Sequence, residues 1–243
     1  LMPFIMAGDP NIEITSDILL KLQEKGADLI ELGIPYSDPL ADGPIIQLSA
    51  SRALKSGTNL KKVIKLLESL RGKLHIPIIL FSYFNPLLSF GFEQFCEMAS
   101  NAGVAGLIIP DLPLEEAYKF SKIVAIHSMD LILLVAPTTP PERMEVISNS
   151  TKGFTYLVSV TGVTGERNKM GKRVENLITK LKEISTNPIA VGFGISTPEH
   201  VNKVREWGAD GVIIGSAFVK RISSSIEKDV VDHVGEFCKR MRL

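Results

Sequence analysis

Short apolar segments alternate along the chain with longer segments of amphipathic helical spacing, and this alternation repeats eight times. Short, nearly continuous apolar runs are typical of parallel strands that are buried on both faces. The predicted strands cover residues 4–7, 29–33, 76–82, 106–109, 131–136, 154–159, 189–192 and 211–214. The predicted helices cover residues 12–25, 59–71, 92–102, 114–127, 140–150, 173–186, 197–207 and 226–241. Eight strand–helix units predict a single α/β domain over residues 1–243, a (β/α)₈ barrel of the TIM type.

A weak repeat of helix-ending glycines supports this count. Gly26, Gly103 and Gly208 precede the second, fourth and eighth strands, where a left-handed residue commonly ends a helix. The alternative is an open doubly wound sheet, which usually carries a glycine-rich turn after its first strand. The turn here is Ala-Gly-Asp-Pro, without a second and third glycine, so the pattern favours the barrel.

Composition excludes several function classes. Lys plus Arg and Asp plus Glu both number 27, and no basic stripe is present, which argues against a nucleic-acid or anionic-membrane surface. No apolar run approaches the roughly 20 residues of a membrane helix, and we expect no secretory leader. Cys96 and Cys238 lie far apart without metal-type spacing. We therefore expect reduced thiols in a reducing compartment, either the cytoplasm or the plastid stroma.

Glu31 interrupts the otherwise apolar second strand. Strand alternation places it on the same face as Leu29 and Gly33. If that face is the barrel interior, burial raises the pKa of the carboxyl group and makes it suitable for general acid–base chemistry. The alternative is a structural glutamate paired with a Lys or Arg, although no cationic residue lies near it in the sequence.

The loops that follow the strands supply further candidates, because active sites of such barrels lie at the carboxyl ends of the strands. Asp38 and Asp42 follow the second strand and offer a second carboxylate beside Glu31, or serve as turn and cap residues. Gly194 follows the seventh strand, and Gly215-Ser216 follow the eighth and lead into a short helix. These positions form either a phosphate site or ordinary turns.

Residues 159–171, after the sixth strand, form a long polar segment that is punctuated by glycine, and we expect a lid there. Arg167 and Lys169 on this segment either attract a phosphate or are solvated charges.

Residues 29–44, LIELGIPYSDPLADGP, resemble the signature of the tryptophan synthase alpha subunit family. The resemblance continues in order through PFIMAGDP, FSYFNPLL, PDLPLEE, FTYLVSVTGVTG, GFGIS and GSAFVK. It implies a lyase of tryptophan biosynthesis that splits indole-3-glycerol phosphate into indole and glyceraldehyde 3-phosphate in a retro-aldol type of reaction. By this resemblance Glu31 and Asp42 are the catalytic pair. Glu31 shuttles protons, and Asp42 accepts a hydrogen bond from the indole N–H.

The same resemblance assigns binding residues. It implies an indole pocket formed by Phe4, Phe81, Tyr83, Tyr156 and Phe193. It implies a phosphate site formed by Gly165, Gly194, Gly215 and Ser216. Thr164, on the lid, is expected to close toward Asp42.

The resemblance also implies partners. It indicates no metal and no cofactor on this chain, and it assigns pyridoxal phosphate to a beta subunit that receives indole within an α₂β₂ heterotetramer. The matching contact regions are residues 35–39, Asn85, Pro86 and the lid. Val160 and Phe154 stand where enteric members carry Arg and Tyr, and the native helix ahead of the first strand is expected to be missing.

Three other functions are alternatives to this lyase. A stand-alone indole-3-glycerol phosphate lyase, which releases free indole, has the same signature. A catalytically weak activator of the beta subunit is expected to lack Glu31 or Asp42, and both are present. A sugar-phosphate epimerase requires metal ligands or a second facing acid. The four histidines lie at helix-side or inter-element positions, where packing or surface roles account for them: His75, His127, His200 and His233.

Overall fold

Parallel strands lie side by side at the centre of the fold in the computed structural model. The structure describes residues 1–158, 167–192 and 194–242, and it describes their side chains except those of residues 167–171 and 227. Within these ranges the strand segments are β1 (Met2–Met6), β2 (Ile30–Gly33), β3 (Ile78–Phe81), β4 (Gly106–Ile108), β5 (Asp130–Ile132), β6 (Leu134–Val135), β7 (Thr155–Val158), β8 (Ile189–Gly192) and β9 (Gly211–Ile214). Their order is β5-β4-β3-β2-β1-β9-β8-β7-β6. Only Leu133 separates β5 from β6, so these two segments occupy one barrel position and the chain itself closes the ring. The predicted (β/α)₈ barrel is confirmed.

Helices surround this barrel. In the described ranges they are α1 (Ile12–Glu24), α2 (Pro44–Lys55), α3 (Leu60–Ser69), α4 (Phe84–Phe90), α5 (Phe92–Asn101), α6 (Leu114–Ile126), α7 (Pro141–Ser150), α8 (Arg167–Ile184), α9 (Pro198–Glu206), α10 (Ser216–Ser224) and α11 (Val230–Met241), with a 3₁₀ turn at Glu227–Asp229. No helix in these ranges is both long and apolar enough to cross a membrane. The backbone is left-handed at Gly26, Gly103 and Gly208, as the repeat predicted, with φ of +90°, +87° and +90°.

The helix prediction was wrong at two places that concern the site. No helix was predicted over α2, where Asp38 and Asp42 were interpreted as possible turn and cap residues. Pro44 instead occupies the first turn of that helix, where its missing N–H costs nothing. Residues 167–171 belong to α8 rather than to a loop, so the predicted lid segment is shorter at this end. A single glycine such as Gly171 lowers helix stability by only about 1 kcal/mol and does not end a helix.

Strand alternation divides the core into two layers. Ile5, Leu32 and Leu80 point outward and pack under the helices. Phe4, Ile79 and Phe81 point inward and fill the barrel. In the parallel register Glu31 lies between Phe4 on β1 and Ile79 on β3, so its side chain belongs to the inner layer. The face predicted for Glu31 is therefore the barrel interior.

Candidate active site

A cavity of about 550 Å³ lies at the carboxyl ends of the strands. It collects residues that are far apart in the sequence, from β1, β2 and β3 to the turns after β8 and β9. Its walls are formed by Phe4, Glu31, Asp42, Ile45, Ile46, Phe81, Tyr156, Gly194, Ile195, Ser196, Ile213, Gly215, Ser216, Ala217, Lys220, Arg221 and Ser224. Both catalytic candidates and three of the four phosphate candidates therefore face one space.

Glu31 is the buried acid of this cavity. Glu31 is 2% exposed, and its Oε2 atom has no hydrogen-bond partner among the described residues. Burial, and secondarily the charge of Asp42, raises the pKa of Glu31 to about 8. None of the ion pairs in the described ranges involves Glu31, which weighs against a structural glutamate. A carboxyl group in this setting is protonated at neutral pH and is able to donate a proton.

Asp42 is the second carboxyl group of the cavity. It lies one residue before Gly43, which caps α2 without a side-chain hydrogen bond. Burial raises the pKa of Asp42 to about 6, and the neighbouring Tyr83 hydroxyl opposes that rise. Asp42 is therefore mainly an anion at neutral pH. Asp38, the other carboxylate of this loop, is exposed and lies outside the cavity wall.

Aromatic side chains form the inner wall. The rings of Phe4 and Phe81 meet edge to face with centroids 5.7 Å apart. Tyr156 is 4% exposed, and the charges of Glu31 and Asp42 add to burial in raising the pKa of its hydroxyl. A Cβ atom on Gly192 would lie 2.4 Å from Cε2 of Tyr156, so the absence of a side chain there makes room for the ring. Gly192 was not predicted as a site residue; a glycine that ends an otherwise apolar strand was the available signal.

Tyr83 lies beside Asp42 and is not among the described residues that line this cavity, so its predicted place in the indole pocket stays a prediction. It is 3% exposed, and its hydroxyl accepts a hydrogen bond from the Ala41 N–H at 3.0 Å. Its ring packs against Tyr36 and Phe81, with centroids 5.5 and 6.2 Å away. These ring contacts hold Tyr83 in place, and its hydroxyl supports the loop that carries Asp42.

The turns after β8 and β9 form the opposite wall. Gly194 has a φ of +76°, a left-handed conformation that favours glycine. Gly215 caps α10, and Ser216 is the first residue of that helix, so unpaired N–H groups and a hydroxyl lie beside the cavity. Such a helix start attracts anions. Phe193, Thr164 and Gly165 lie outside the described residues.

The structure adds wall residues that the sequence did not predict. Ile45 and Ile46 come from α2, and Lys220 and Arg221 come from α10. Ile45 and Ile46 were not predicted as wall residues because the helix that carries them, α2, was not predicted. The described part of the chain contains no cluster of three or more His, Cys, Asp or Glu side chains that could hold a metal ion.

The closed parallel barrel buries a protonated carboxyl group beside a carboxylate, and the anion-attracting start of a helix lies opposite them. This arrangement is typical of barrel enzymes that move protons on a small anionic substrate. The model of the tryptophan synthase alpha chain family matches residues 1–242. The chain belongs to this family.

Relatives and solved structures agree with that assignment. The tryptophan synthase alpha chain of Prochlorococcus marinus subsp. pastoris is 83% identical over 242 residues, which cover 100% of this chain and 87% of the relative. That of Synechococcus elongatus is 51% identical, with coverage of 100% and 90%. A chain from the structure of the tryptophan synthase α₂β₂ complex of Pyrococcus furiosus superposes with a TM-score of 0.93 at 40% identity, over 99% of this chain and 96% of that chain.

Proposed function

We propose that this chain is the lyase that cleaves indole-3-glycerol phosphate into indole and glyceraldehyde 3-phosphate in tryptophan biosynthesis, with Glu31 and Asp42 as its catalytic residues. The observation that supports the proposal is the pair of carboxyl groups in one cavity, whose pKa values of about 8 and about 6 lie on opposite sides of neutrality. Local environments that move the pKa values of two carboxyl groups apart in this way indicate that one group acts as an acid and the other as an anion.

Glu31 carries the proton transfers in this proposal. The protonated carboxyl group donates a proton to C3 of the indole ring, which gives an indolenine. The bond between C3 and the glyceryl carbon then breaks, and its electron pair returns to the ring. The Glu31 carboxylate takes the proton of the adjacent hydroxyl as that carbon becomes the aldehyde, so the acid is regenerated. General acid–base steps of this kind contribute about 10²–10⁴ in rate.

Asp42 stabilises the charge that this sequence develops. Protonation at C3 places positive charge on the ring nitrogen, and an anionic carboxylate that accepts the N–H hydrogen bond lowers the energy of that state. The burial that raises the pKa of Asp42 also strengthens this interaction, because the surroundings screen it less than water does.

The remaining walls suit the two ends of the substrate. Phe4, Phe81 and Tyr156 offer an apolar surface for the ring beside Glu31. Gly194, Gly215 and Ser216, at the start of α10, offer donors for the phosphate. Phe193, Thr164 and Gly165 complete this proposal as a further wall residue, the lid threonine and a fourth phosphate contact. No step requires a metal or a cofactor on this chain.

We further propose that a beta subunit, which carries pyridoxal phosphate, binds at the cavity mouth and forms an α₂β₂ assembly as in Pyrococcus furiosus. Leu40 and Leu88, at 82% and 47% exposed, lie beside the contact regions 35–39 and 85–86 and supply apolar surface there. Asn85 donates a hydrogen bond to the Tyr36 hydroxyl at 3.2 Å and so connects the two regions. Cys96 and Cys238 are buried free thiols, which suit a reducing compartment such as the cytoplasm or the plastid stroma.

The test is release of indole from indole-3-glycerol phosphate by the purified chain, with and without a beta subunit. We expect Glu31→Gln to lower kcat by about 10²–10⁴. Glu145→Gln, at an exposed glutamate of α7, is the matched control and is expected to leave kcat unchanged. A kcat for Glu31→Gln equal to that of the unmodified chain would contradict the acid–base assignment, and equally low values for both would favour an activator role. High turnover that a beta subunit does not increase would favour a stand-alone lyase.

A further inference from the structure

A buried carboxylate outside the cavity lies in the loop after β1. Asp9 is 1% exposed, and both of its oxygens are engaged by α2. Oδ1 accepts a hydrogen bond from Nε of Arg52 at 2.8 Å, and Oδ2 accepts one from Nη2 of the same residue at 2.6 Å. The hydroxyl of Ser49 also donates to Oδ2. This bidentate ion pair attaches the middle of α2 to the loop after β1.

The loop that carries Asp9 is itself fixed. The N–H of Gly8 donates to Oγ1 of Thr15 in α1 at 2.9 Å, and its carbonyl accepts from the Ser56 hydroxyl at 3.1 Å. Gly8 has a φ of +83°, and a Cβ atom there would lie 2.0 Å from Oγ1 of Thr58. The loop is therefore a rigid support rather than a linker.

Helix α2 transmits this support to the active site. Ile46, Ala50 and Ala53 on its inner face are buried with the inner layer of the barrel. At its start, the side-chain amide of Gln47 donates to the backbone carbonyl of Asp42 at 2.8 Å. The position of α2 therefore sets the position of Asp42, and Ile46 of the same helix lines the cavity.

We propose that Asp9 and Arg52 are positioning residues for the lyase reaction, which hold α2 so that Asp42 reaches into the cavity. The inference rests on the proposed function of Asp42. Neither residue lines the cavity, so both act through α2 and through the backbone of Asp42.

Loosening the ion pair is expected to change the chemical step more than binding. Small displacements of a catalytic group cost a large factor in rate, because the reacting geometry is lost. The phosphate donors lie across the cavity on the turns after β8 and β9, and α2 does not carry them. Helix α10 does pack against α2, so KM is expected to change less than kcat rather than to stay constant.

The test compares Arg52→Lys with Arg143→Lys. Arg143 makes a bidentate pair of the same kind with Glu115, at 2.8 and 3.1 Å, but on the exposed surface between α6 and α7. We expect Arg52→Lys to lower kcat by about 10- to 100-fold with a change in KM of less than about threefold. Arg143→Lys is expected to change neither. Equal kcat in the two variants would overturn the proposal.

A second readout separates positioning from a general loss of structure. Asp42 faces Tyr83 and Glu31, and its raised pKa results from burial. If α2 moves outward, water reaches the carboxyl group and its pKa falls toward the ordinary value, which NMR titration of the Asp42 carboxyl carbon measures without any lyase assay. An unchanged pKa in Arg52→Lys would contradict the proposal even if kcat fell.

Ser49→Ala keeps the ion pair and removes one hydrogen bond, so it provides a mild variant if Arg52→Lys does not fold. We expect it to shift the Asp42 pKa in the same direction by a smaller amount, and no shift would overturn the proposal. Failure of the proposed function is distinguishable from failure of this inference. The first appears as full activity in Glu31→Gln, and the second appears as an unchanged pKa of Asp42 in the Arg52 and Ser49 variants.

Discussion

The most informative perturbation is Glu31→Gln, because the structure predicts a gain in stability together with the loss of activity. The pKa of Glu31 rises from the ordinary 4.5 to about 8 in the folded protein. Between these two values the folded state holds a proton that the unfolded state has released. The free energy of unfolding therefore falls as pH rises through this window, by about 1.4 kcal/mol per pH unit.

The size of the effect follows from that window. Above pH 8 the buried carboxylate costs the folded protein about 5 kcal/mol relative to its state below pH 4.5. Glutamine carries no proton to lose, so Glu31→Gln lacks this slope. Its amide is also buried, which adds a constant offset of about 1–3 kcal/mol if it finds no partner. The expected signature is therefore a difference in slope and not a fixed difference.

Urea unfolding of both proteins at several pH values between about 4 and 9 measures that slope. Glu145→Gln is the control, since its carboxyl group is exposed on α7. We expect the stability of Glu31→Gln relative to the unmodified chain to rise steadily between pH 4.5 and 8 and then to become constant. Unfolding free energies that run parallel across this range would refute the claim that Glu31 is a buried, protonated acid.

Four further predictions concern the same cavity. We expect kcat/KM against pH to be bell-shaped, rising through about 6 as Asp42 ionises and falling through about 8 as Glu31 ionises; a profile without the upper limb would contradict the proposed acid. Asp42→Asn is expected to move that upper limb to lower pH, because the Asp42 charge contributes to the raised pKa of Glu31, and stopped assays of indole across pH measure the shift. Gly192→Ala is expected to lower stability by about 1–3 kcal/mol and to reduce kcat, because the new methyl group overlaps the ring of Tyr156; urea unfolding and indole assays check both, and normal values would show that the ring has room to move. Ser216→Ala is expected to raise KM with little change in kcat, because the hydroxyl serves binding in the proposal, and steady-state kinetics with inorganic phosphate as an inhibitor test it.

The sequence by itself determined the architecture and the catalytic candidates. Period-two alternation placed Glu31 on one face of its strand with Leu29 and Gly33, because successive side chains of a strand point to opposite sides, and the structure identified that face as the barrel interior. The helix-ending glycines and the count of strand–helix units determined the barrel, and the signature around Asp42 selected one of two loop carboxylates. These features are local in the chain, so they are readable without its folded form.

Only the tertiary structure decided which residues support that pair. No helix was predicted at α2, so neither the place of Ile46 in the cavity wall nor the ion pair between Arg52 and Asp9 was predicted. The ring of Tyr83 packs against Phe81 of β3 and against Tyr36 from the loop after β2, and the second contact exists only because the folded chain brings these two segments together. The pKa values follow the same division. The sequence supplied the two carboxyl groups. The burial that raises both pKa values, and the nearby charge of Asp42 that adds to the rise at Glu31, exist only once the barrel closes.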